Sequence, residues 1–345
     1  MQTNGKASVT KVLIDAEMAG QRVDNFLFRH LKGVPKSRVY RMLREGEVRI
    51  SGHRTKPDYK LAEGDEVRIP PVRVAEKAEL PSPSAIDRPL LDRVIYRDDA
   101  LLVIDKPSGQ AVHGGSGISL GVIEQLRQEL PQARFLELAH RLDKETSGVL
   151  VLALKRSALT ELHRMLREGE THKTYFALAA GHWRDAVRNV KLPLRKYLNA
   201  EGERRVAVEE GGQSAHTIFR LVSRHGKPSF PRKRESSQTE GLDARVRRYD
   251  VSTKLAEEFS LLEAELKTGR THQIRVHLAA LKHPIAGDDK YGDPELNRQL
   301  KKLGFRRMFL HAARMQLAHP LTGQALILES PLPDDLRSFL EQLGT

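Results

Sequence analysis

The first 70 residues have the apolar spacing of two short helices followed by short strands. Apolar side chains recur three and four positions apart after Gly20, and again before Gly46, at Val23, Phe26, Leu27, Leu31, Val39, Met42 and Leu43. Alternating residues at 48–50 and 66–69 predict short strands. The pattern therefore predicts a small module with a thin apolar core.

A second and larger part of the chain mixes strand-length apolar runs with helical stretches. Apolar runs predict buried strands at 101–104, 149–152 and 175–178. Apolar residues at helical spacing predict helices at 121–130 and 158–166. Periodicity alone does not separate an α+β fold from an α/β fold.

Proline-rich and polar residues divide the chain. We predict a first domain over 1–70, a linker over 71–89 and a second domain over 90–345. A segment at about 224–250 is rich in Arg, Lys, Ser and Glu and has almost nothing to bury, so we predict a flexible insertion there. Its flanks alternate well enough to be paired strands, at 217–222 and 259–266.

The composition restricts both the compartment and the chemistry. The 345 residues are 39% hydrophobic, and the longest apolar run, 148–154, is far shorter than the roughly 20 residues that cross a bilayer. No apolar stretch typical of a secretory signal follows Met1, so we expect a cytoplasmic protein without a membrane span. The sequence contains no cysteine, which excludes disulfides, Cys-ligated metals and thiol nucleophiles.

The excess of positive charge points to a polyanionic partner. Lys and Arg number 58 against 45 Asp and Glu, a net charge of +13, which favours nucleic acid ahead of an anionic membrane surface. Between 32 and 60 there are nine basic residues and three acidic ones. Four of the basic residues on the second predicted helix are our candidate RNA phosphate contacts: Lys36, Arg38, Arg41 and Arg44. The alternative is an ordinary solvated face.

The most informative string runs from His140 to Gly148, directly ahead of a predicted buried strand. Within it, Asp143 lies on a polar loop held by rigid structure, and an ordinary aspartate is ionised at neutral pH. Asp143 is therefore a candidate nucleophile or base. The alternative is that Asp, Thr and Ser simply cap a turn.

A second string, 268–277, contains two arginines close to a glycine, Arg270 and Arg275, which suit a carboxylate or phosphate. Histidines at 272, 277 and 283 raise the question of a metal site. They lack His-Glu-x-x-His spacing and a clear carboxylate ligand, so we expect no metal.

A third string raises a different enzyme class. Residues 117–121 match the Gly-x-Ser-x-Gly elbow of serine esterases, with Ser119 as nucleophile. Such an elbow leaves a buried strand, whereas Ser119 follows a glycine-rich loop, so the context argues against an esterase.

The first two strings, together with residues 105–109, resemble the RluA-type family of large-ribosomal-RNA pseudouridine synthases. The string 140–148 resembles the catalytic motif of the family, 268–277 its third motif, and Asp105-Lys106-Pro107-Ser108-Gly109 its first. The first 70 residues are similar to an S4 RNA-binding domain, and residues 33–37 and 68–76 bring the match close to the RluC branch. The resemblance covers nearly the whole chain except about 224–258.

The resemblance implies an α+β fold, with an S4-like module and a catalytic domain built on a mixed, largely antiparallel sheet. It implies that the chain isomerises uridines of 23S ribosomal RNA, or of a large-subunit precursor, without a cofactor or metal and as a monomer. Asp143 matches the catalytic aspartate, Arg275 the arginine that pairs with it, and Tyr175 the tyrosine that stacks on the uracil and is a candidate proton acceptor at C5.

Arg141 matches the residue that fills the gap left by the flipped base. The functional alternative is a catalytically inactive RNA-binding protein that assists ribosome assembly.

Overall fold

The structure is a computed structural model that describes residues 9–31, 34, 36–72, 89–114, 120–199, 202–226 and 258–344; the side chain of Lys36 lies outside the description. None of the helices in these ranges is long and apolar enough to cross a membrane.

The first part of the chain forms a four-stranded antiparallel sheet and two helices. Its elements are β1 (Thr10–Leu13), α1 (Val23–His30), α2 (Lys36–Glu45), β2 (Arg49–Ile50), β3 (His53–Arg54) and β4 (Glu66–Ile69). The strands lie in the order β1-β4-β2-β3. Both predicted helices are present, and the strand predicted at 48–50 is shortened to two residues.

The two helices close the core of this module with their apolar faces. The buried side chains are those that the spacing selected: Val23, Phe26, Leu27, Leu31, Val39, Met42 and Leu43. Gly46 follows α2 with a φ of +73°, the left-handed conformation that commonly ends a helix. Arg41 and Arg44 are exposed on the opposite face of α2.

The second part of the chain contains the remaining elements, which begin after a short 3₁₀ turn at Leu91–Arg93. They are β5 (Val94–Arg97), β6 (Leu101–Lys106), α3 (Val122–Glu129), β7 (Glu137–Leu138), β8 (Ser147–Ala153), α4 (Arg156–Glu168), β9 (His172–Ala180), β10 (Val187–Lys191), β11 (Leu194–Leu198), β12 (Arg204–Val208), β13 (His216–His225), β14 (Phe259–Leu266), α5 (Gln273–Ala280), α6 (Pro294–Lys302), β15 (Leu310–Ala318), β16 (Ala325–Glu329) and α7 (Asp334–Leu343).

One large sheet organises this part. Eight strands lie in the order β10-β13-β14-β9-β15-β8-β6-β5, with β7 paired to β8 and β16 paired to β15. The β15–β8 pair is parallel, and the other pairs of this sheet are antiparallel. Strands β11 and β12 form a separate hairpin. The α+β fold with a mixed, largely antiparallel sheet is therefore confirmed.

The central strands are buried on both faces, which explains their continuous apolar runs. On β6, Leu102 and Ile104 enter a core that includes residues of α3, α5, α6 and α7. Leu101 and Val103 enter a second core that includes residues of α4. Because neighbouring residues of a strand point to opposite faces, both sets must be apolar. Tyr175 and Ile274 belong to the first core, so the catalytic motifs lie on that side.

The predicted pairing on either side of the insertion is confirmed, because β13 and β14 are antiparallel neighbours. The insertion itself lies outside the described residues from 227 to 257. Most of the linker, 73–88, also lies outside them, so the boundaries of the two domains stay predictions.

The close approach of β8 and β15 depends on Gly148, which has a φ of +110°. An added Cβ would lie 2.2 Å from the carbonyl oxygen of Ala312. We expect Gly148→Ala to lower the free energy of unfolding by on the order of 3 kcal/mol, because it adds a backbone clash to an unfavourable conformation. Urea unfolding would measure this loss.

Gly323→Ala is the matched control, since Gly323 has a φ of +74° with nothing within 4 Å of an added Cβ. We expect it to cost about 1 to 2 kcal/mol, from the left-handed backbone alone. Equal losses in the two variants would contradict the role assigned to the close strand contact.

Candidate active site

The loop that carries Asp143 connects β7 to β8 and is held by the loop that follows β6. The side chain of Lys106, at the end of β6, is fully buried and donates to the carbonyl oxygens of Pro107 at 2.7 Å, Gln110 at 2.6 Å and Lys144 at 3.1 Å. Burial lowers the pKa of Lys106 to about 7. Three carbonyl acceptors match the three protons of its ammonium, so this one side chain joins the two loops.

Further hydrogen bonds fix both ends of the Asp143 loop. The hydroxyl of Ser108 donates to the carbonyl of Glu145 at 2.7 Å, and the N–H of Gly109 donates to the carbonyl of Lys144 at 2.9 Å. At the other end, Nε2 of His140 accepts the N–H of Val151 at 3.1 Å. Burial, with a smaller contribution from the charge of Lys173, lowers the pKa of His140 to about 4, so its ring is neutral at neutral pH. The string 105–109 and the string 140–148 are therefore joined by hydrogen bonds.

Asp143 is paired with Arg275, as the resemblance implied. Nη1 of Arg275, on α5, lies 3.0 Å from Oδ2 of Asp143. Nε and Nη2 of the same guanidinium donate to Oδ2 and Oδ1 of Asp288 at 2.8 and 2.7 Å. The side chain of Asp288 is completely buried, that of Arg275 is 7% exposed and that of Asp143 is 20% exposed. Asp288 therefore orients the guanidinium, and Asp143 is the carboxylate that faces outward.

At Arg275 and Asp288, hydrogen bonding and charge pairing together change the pKa more than burial does. Burial by itself would raise the pKa of Asp288, but the hydrogen bonds and charge of Arg275, with the N–H groups of Lys290 and Tyr291, hold it below its usual value. Burial would lower the pKa of Arg275, and its bonds to Asp288 and then Asp143 raise it instead. Both side chains are charged at neutral pH, and Asp143 faces a permanently cationic partner.

Tyr175 lies on β9 and is 8% exposed. Burial, together with the charge of Asp143, raises the pKa of its phenol well above the usual range. The phenol is therefore neutral at pH 7. A neutral phenol can stack its ring on a base, whereas its oxygen is a weak proton acceptor.

The structure places the predicted RNA contacts in different environments. Arg141 is exposed, and its side chain makes no hydrogen bond or ion pair with the described residues. In the first domain, Arg38 is engaged by Glu47 through two hydrogen bonds of 2.8 Å, whereas Arg44 has no such partner in the described ranges. Arg41 has only a 4.0 Å contact with Glu45. Arg41 and Arg44 are thus more accessible than Arg38.

The three histidines considered for a metal do not converge. His277 contacts Thr217 and the carbonyl of Leu192, and His283 contacts the carbonyl of Ala180. His272 instead lies beside Asp143, with Nε2 at 3.7 Å from Oδ1. Within the described ranges, no three His, Asp or Glu side chains are grouped so that they could hold a metal ion. Ser119, the nucleophile of the esterase alternative, lies outside the described residues.

Comparison with known proteins agrees with this geometry. Residues 100–280 match the model of the RNA pseudouridylate synthase family, and residues 21–67 match the S4 domain. The chain belongs to the RNA pseudouridylate synthase family. It is 48% identical over 340 residues to ribosomal large subunit pseudouridine synthase C of Escherichia coli K12, covering 97% of both chains. It is 46% identical over 342 residues to the protein of that name from Yersinia pestis, covering 99% of this chain and 97% of that one.

Solved structures of the family are more distant. Human RNA pseudouridylate synthase domain containing 4 aligns with a TM-score of 0.53 at 26% identity, over 74% of this chain and 94% of its own. Human RNA pseudouridylate synthase domain containing 1 aligns with a TM-score of 0.52 at 25% identity, over 70% and 83% of the two chains. The pseudouridylate synthase match spans the three residues that we selected as catalytic: Asp143, Tyr175 and Arg275.

Sequence reasoning missed three members of this site. The strings quoted from the sequence do not include Asp288, and they assign no role to Lys106 or Tyr291. The available signal for Asp288 is a pair of acids, Asp288 and Asp289, directly after a glycine and 13 residues after Arg275. That spacing alone does not identify a contact, because only the folded chain brings Asp288 back to Arg275 on α5.

The Arg275–Asp288 pair generates a stability prediction. We expect Arg275→Ala to lower the free energy of unfolding by on the order of 3 to 5 kcal/mol at pH 7, because Asp288 is left buried and unpaired. The ordinary aspartate pKa is 3.8, and the lowered pKa of Asp288 contributes stability above it that is lost as the pH falls further. The difference from wild type should therefore shrink only below that ordinary pKa, as urea unfolding at pH 7 and at about pH 2.5 would show.

Arg270→Ala is the control, because Arg270 belongs to the same motif but is exposed, and its side chain donates, within the described ranges, only to the carbonyl of Ser214 at 3.0 Å. We expect a loss within about 0.5 kcal/mol. If both variants lose the same stability, the pairing assigned to Arg275 is wrong.

Proposed function

We propose that this chain isomerises specific uridines of 23S ribosomal RNA, free or in a large-subunit precursor, to pseudouridine. The observation that carries the proposal is the carboxylate of Asp143, held at 3.0 Å by a buried arginine, near a buried Tyr175 whose phenol pKa is raised by burial and by Asp143. This arrangement occurs in a chain 48% identical to a ribosomal large subunit pseudouridine synthase C. The cytoplasm, where ribosomal RNA would be met, and a monomeric state are part of the same proposal.

The reaction breaks the bond between N1 of uracil and C1′ of ribose and forms one between C5 and C1′. A proton leaves C5 and one is gained at N1, so the product is an isomer and no oxidant, reductant or second substrate is consumed. We propose that Asp143 is the group that attacks or removes a proton at the reacting nucleotide. Arg275 holds this carboxylate in place through the 3.0 Å contact with Oδ2, and no cofactor is needed.

The target uridine must leave its stack to reach a partly buried carboxylate. Extruding a nucleotide costs a few kcal/mol, and stacking on the ring of Tyr175 would return about 1 to 3 kcal/mol. Arg141 is exposed at the start of the same loop, which supports its proposed role of filling the vacated position. We propose that Lys36, Arg38, Arg41 and Arg44 contribute phosphate contacts, with Arg41 and Arg44 contributing most.

The first test concerns Asp143. We expect Asp143→Asn to abolish pseudouridine formation in transcribed 23S ribosomal RNA, while RNA affinity stays within a few fold, because the amide keeps the size and loses the charge and basicity. Nucleoside mass spectrometry measures the product, and filter binding measures the affinity. Lys144→Gln, at the exposed neighbouring position, is the control and should stay active. An inactive wild-type protein that still binds the RNA would favour the assembly-factor alternative.

The second test concerns the basic face of α2. We expect the double variant Arg41→Gln, Arg44→Gln to weaken binding and to flatten its salt dependence. Each lost phosphate contact removes about 0.7 to 0.9 from the slope of log affinity against log salt concentration. The same readout should be unchanged in Arg164→Gln, Arg337→Gln, because those two arginines are already paired with acids on the surface. Equal slopes in wild type and the first variant would show that α2 does not contact phosphate.

A further inference from the structure

His272 occupies an unfavourable backbone conformation immediately before α5. Its φ is 55°, in the left-handed region that residues other than glycine adopt uncommonly, with asparagine, aspartate and histidine adopting it more often than other side chains. It is the N-cap residue of α5, yet its side chain caps no backbone N–H of that helix. Such a conformation costs free energy and persists where the surroundings enforce it, often at functional sites. The contacts of the imidazole therefore indicate what enforces this conformation.

The ring of His272 is in short contact with Tyr291. Nδ1 of His272 lies 2.7 Å from the Tyr291 hydroxyl, and that oxygen accepts the backbone N–H of Val206 at 3.0 Å. Since the hydroxyl oxygen already accepts a proton, its own proton is available for Nδ1. A neutral imidazole whose Nδ1 is an acceptor carries its proton on Nε2.

The other ring nitrogen, Nε2, lies near the carboxylate of Asp143. Nε2 lies 3.7 Å from Oδ1 of Asp143, whereas Arg275 binds the other oxygen, Oδ2, at 3.0 Å. The charged groups around the imidazole are Asp143, Arg275, Lys290 and Asp288. Burial lowers the pKa of His272, against the charge of Asp143, so the ring is neutral at neutral pH. A neutral donor orients a carboxylate without cancelling its charge.

We propose that His272 is a positioning residue for Asp143: Tyr291 fixes it as the Nε2–H tautomer, and its N–H holds Oδ1 while Arg275 holds Oδ2. The proposal rests on the proposed function, in which Asp143 reacts with the flipped nucleotide. With one donor at each oxygen, the carboxylate cannot rotate about its Cβ–Cγ bond, and the face it presents to the sugar and the base is constant. The gap of 3.7 Å then closes to a hydrogen bond when RNA excludes water from the site.

The central experiment compares His272→Asn with His272→Gln. Asparagine tolerates the left-handed backbone and has an amide near the position of Nδ1, so it retains the contact with Tyr291 but has no donor toward Asp143. Glutamine places an amide N–H near the position of Nε2. We expect the single-turnover rate of His272→Asn at saturating RNA to fall by about tenfold to a hundredfold, with unchanged RNA affinity and no loss of melting temperature. His272→Gln should recover part of that rate.

Two outcomes would overturn the proposal. One is a wild-type rate in His272→Asn, and the other is an equal fall of rate and melting temperature in both variants, which would assign His272 a structural role only. Asp143→Asn and wild type are measured alongside. An inactive wild type contradicts the proposed function, whereas an active wild type with an active His272→Asn contradicts only this inference.

A spectroscopic measurement tests the tautomer without turnover. In long-range proton–nitrogen spectra of the full-length protein, we expect the resonance of His272, assigned by its absence in His272→Gln, to show the Nε2–H form. Tyr291→Phe removes the donor to Nδ1 and should produce a mixture of tautomers, with a smaller fall in rate than His272→Asn. A ring protonated at Nδ1 in the wild-type protein would refute the proposal whatever the kinetics.

Discussion

The buried ion pair between Arg275 and Asp288 is the constraint on which the rest of the site depends. Taking both charges out of water costs several kcal/mol per ion, which is offset only if the geometry is good and the remaining hydrogen-bonding groups are satisfied. Here both carboxylate oxygens of Asp288 accept from one guanidinium, and Oδ1 also accepts the N–H groups of Lys290 and Tyr291. The guanidinium is therefore fixed in orientation, with its Nη1 toward Asp143.

The same pair joins distant parts of the chain. Asp143 lies between β7 and β8, Arg275 on α5, and Asp288 in the segment that follows α5. Asn297 on α6 donates to the carbonyl of Asp288 at 2.9 Å, so this segment is tied in turn to the next helix. The catalytic carboxylate is therefore held by the packing of α5 and α6 against the sheet rather than by its own loop alone.

Preorganisation also comes from the backbone. Lys106 binds carbonyls of both loops, and Gly148 lets β8 approach β15 directly after the Asp143 loop. These contacts use groups that are rigid before any RNA arrives, so little ordering remains to be done when the nucleotide binds. The exposed arginines differ in kind: Arg141 and Arg44 make no ion pair with the described residues, and such side chains suit a partner that supplies phosphates.

The sequence by itself determined the individual helices and strands, because periodicity is local information, whereas the α+β fold class and the candidate catalytic residues came from the family resemblance. Helical spacing at Val39, Met42 and Leu43, and the apolar run of β8, follow from which faces are buried. The pairing of Asp143 with Arg275 came from a resemblance whose motifs are contiguous strings.

Only the tertiary structure decided which other groups complete the site. Asp288, Tyr291 and His272 belong to it because α5 and the segment after it return the chain to the Asp143 loop, and their roles follow from distances between residues remote in sequence. Arg38 looked equivalent to Arg41 and Arg44 by its spacing, but the fold places Glu47 within 2.8 Å of its guanidinium. Spacing determines the face of a helix, whereas the partner that a side chain meets there depends on which distant segment packs beside it.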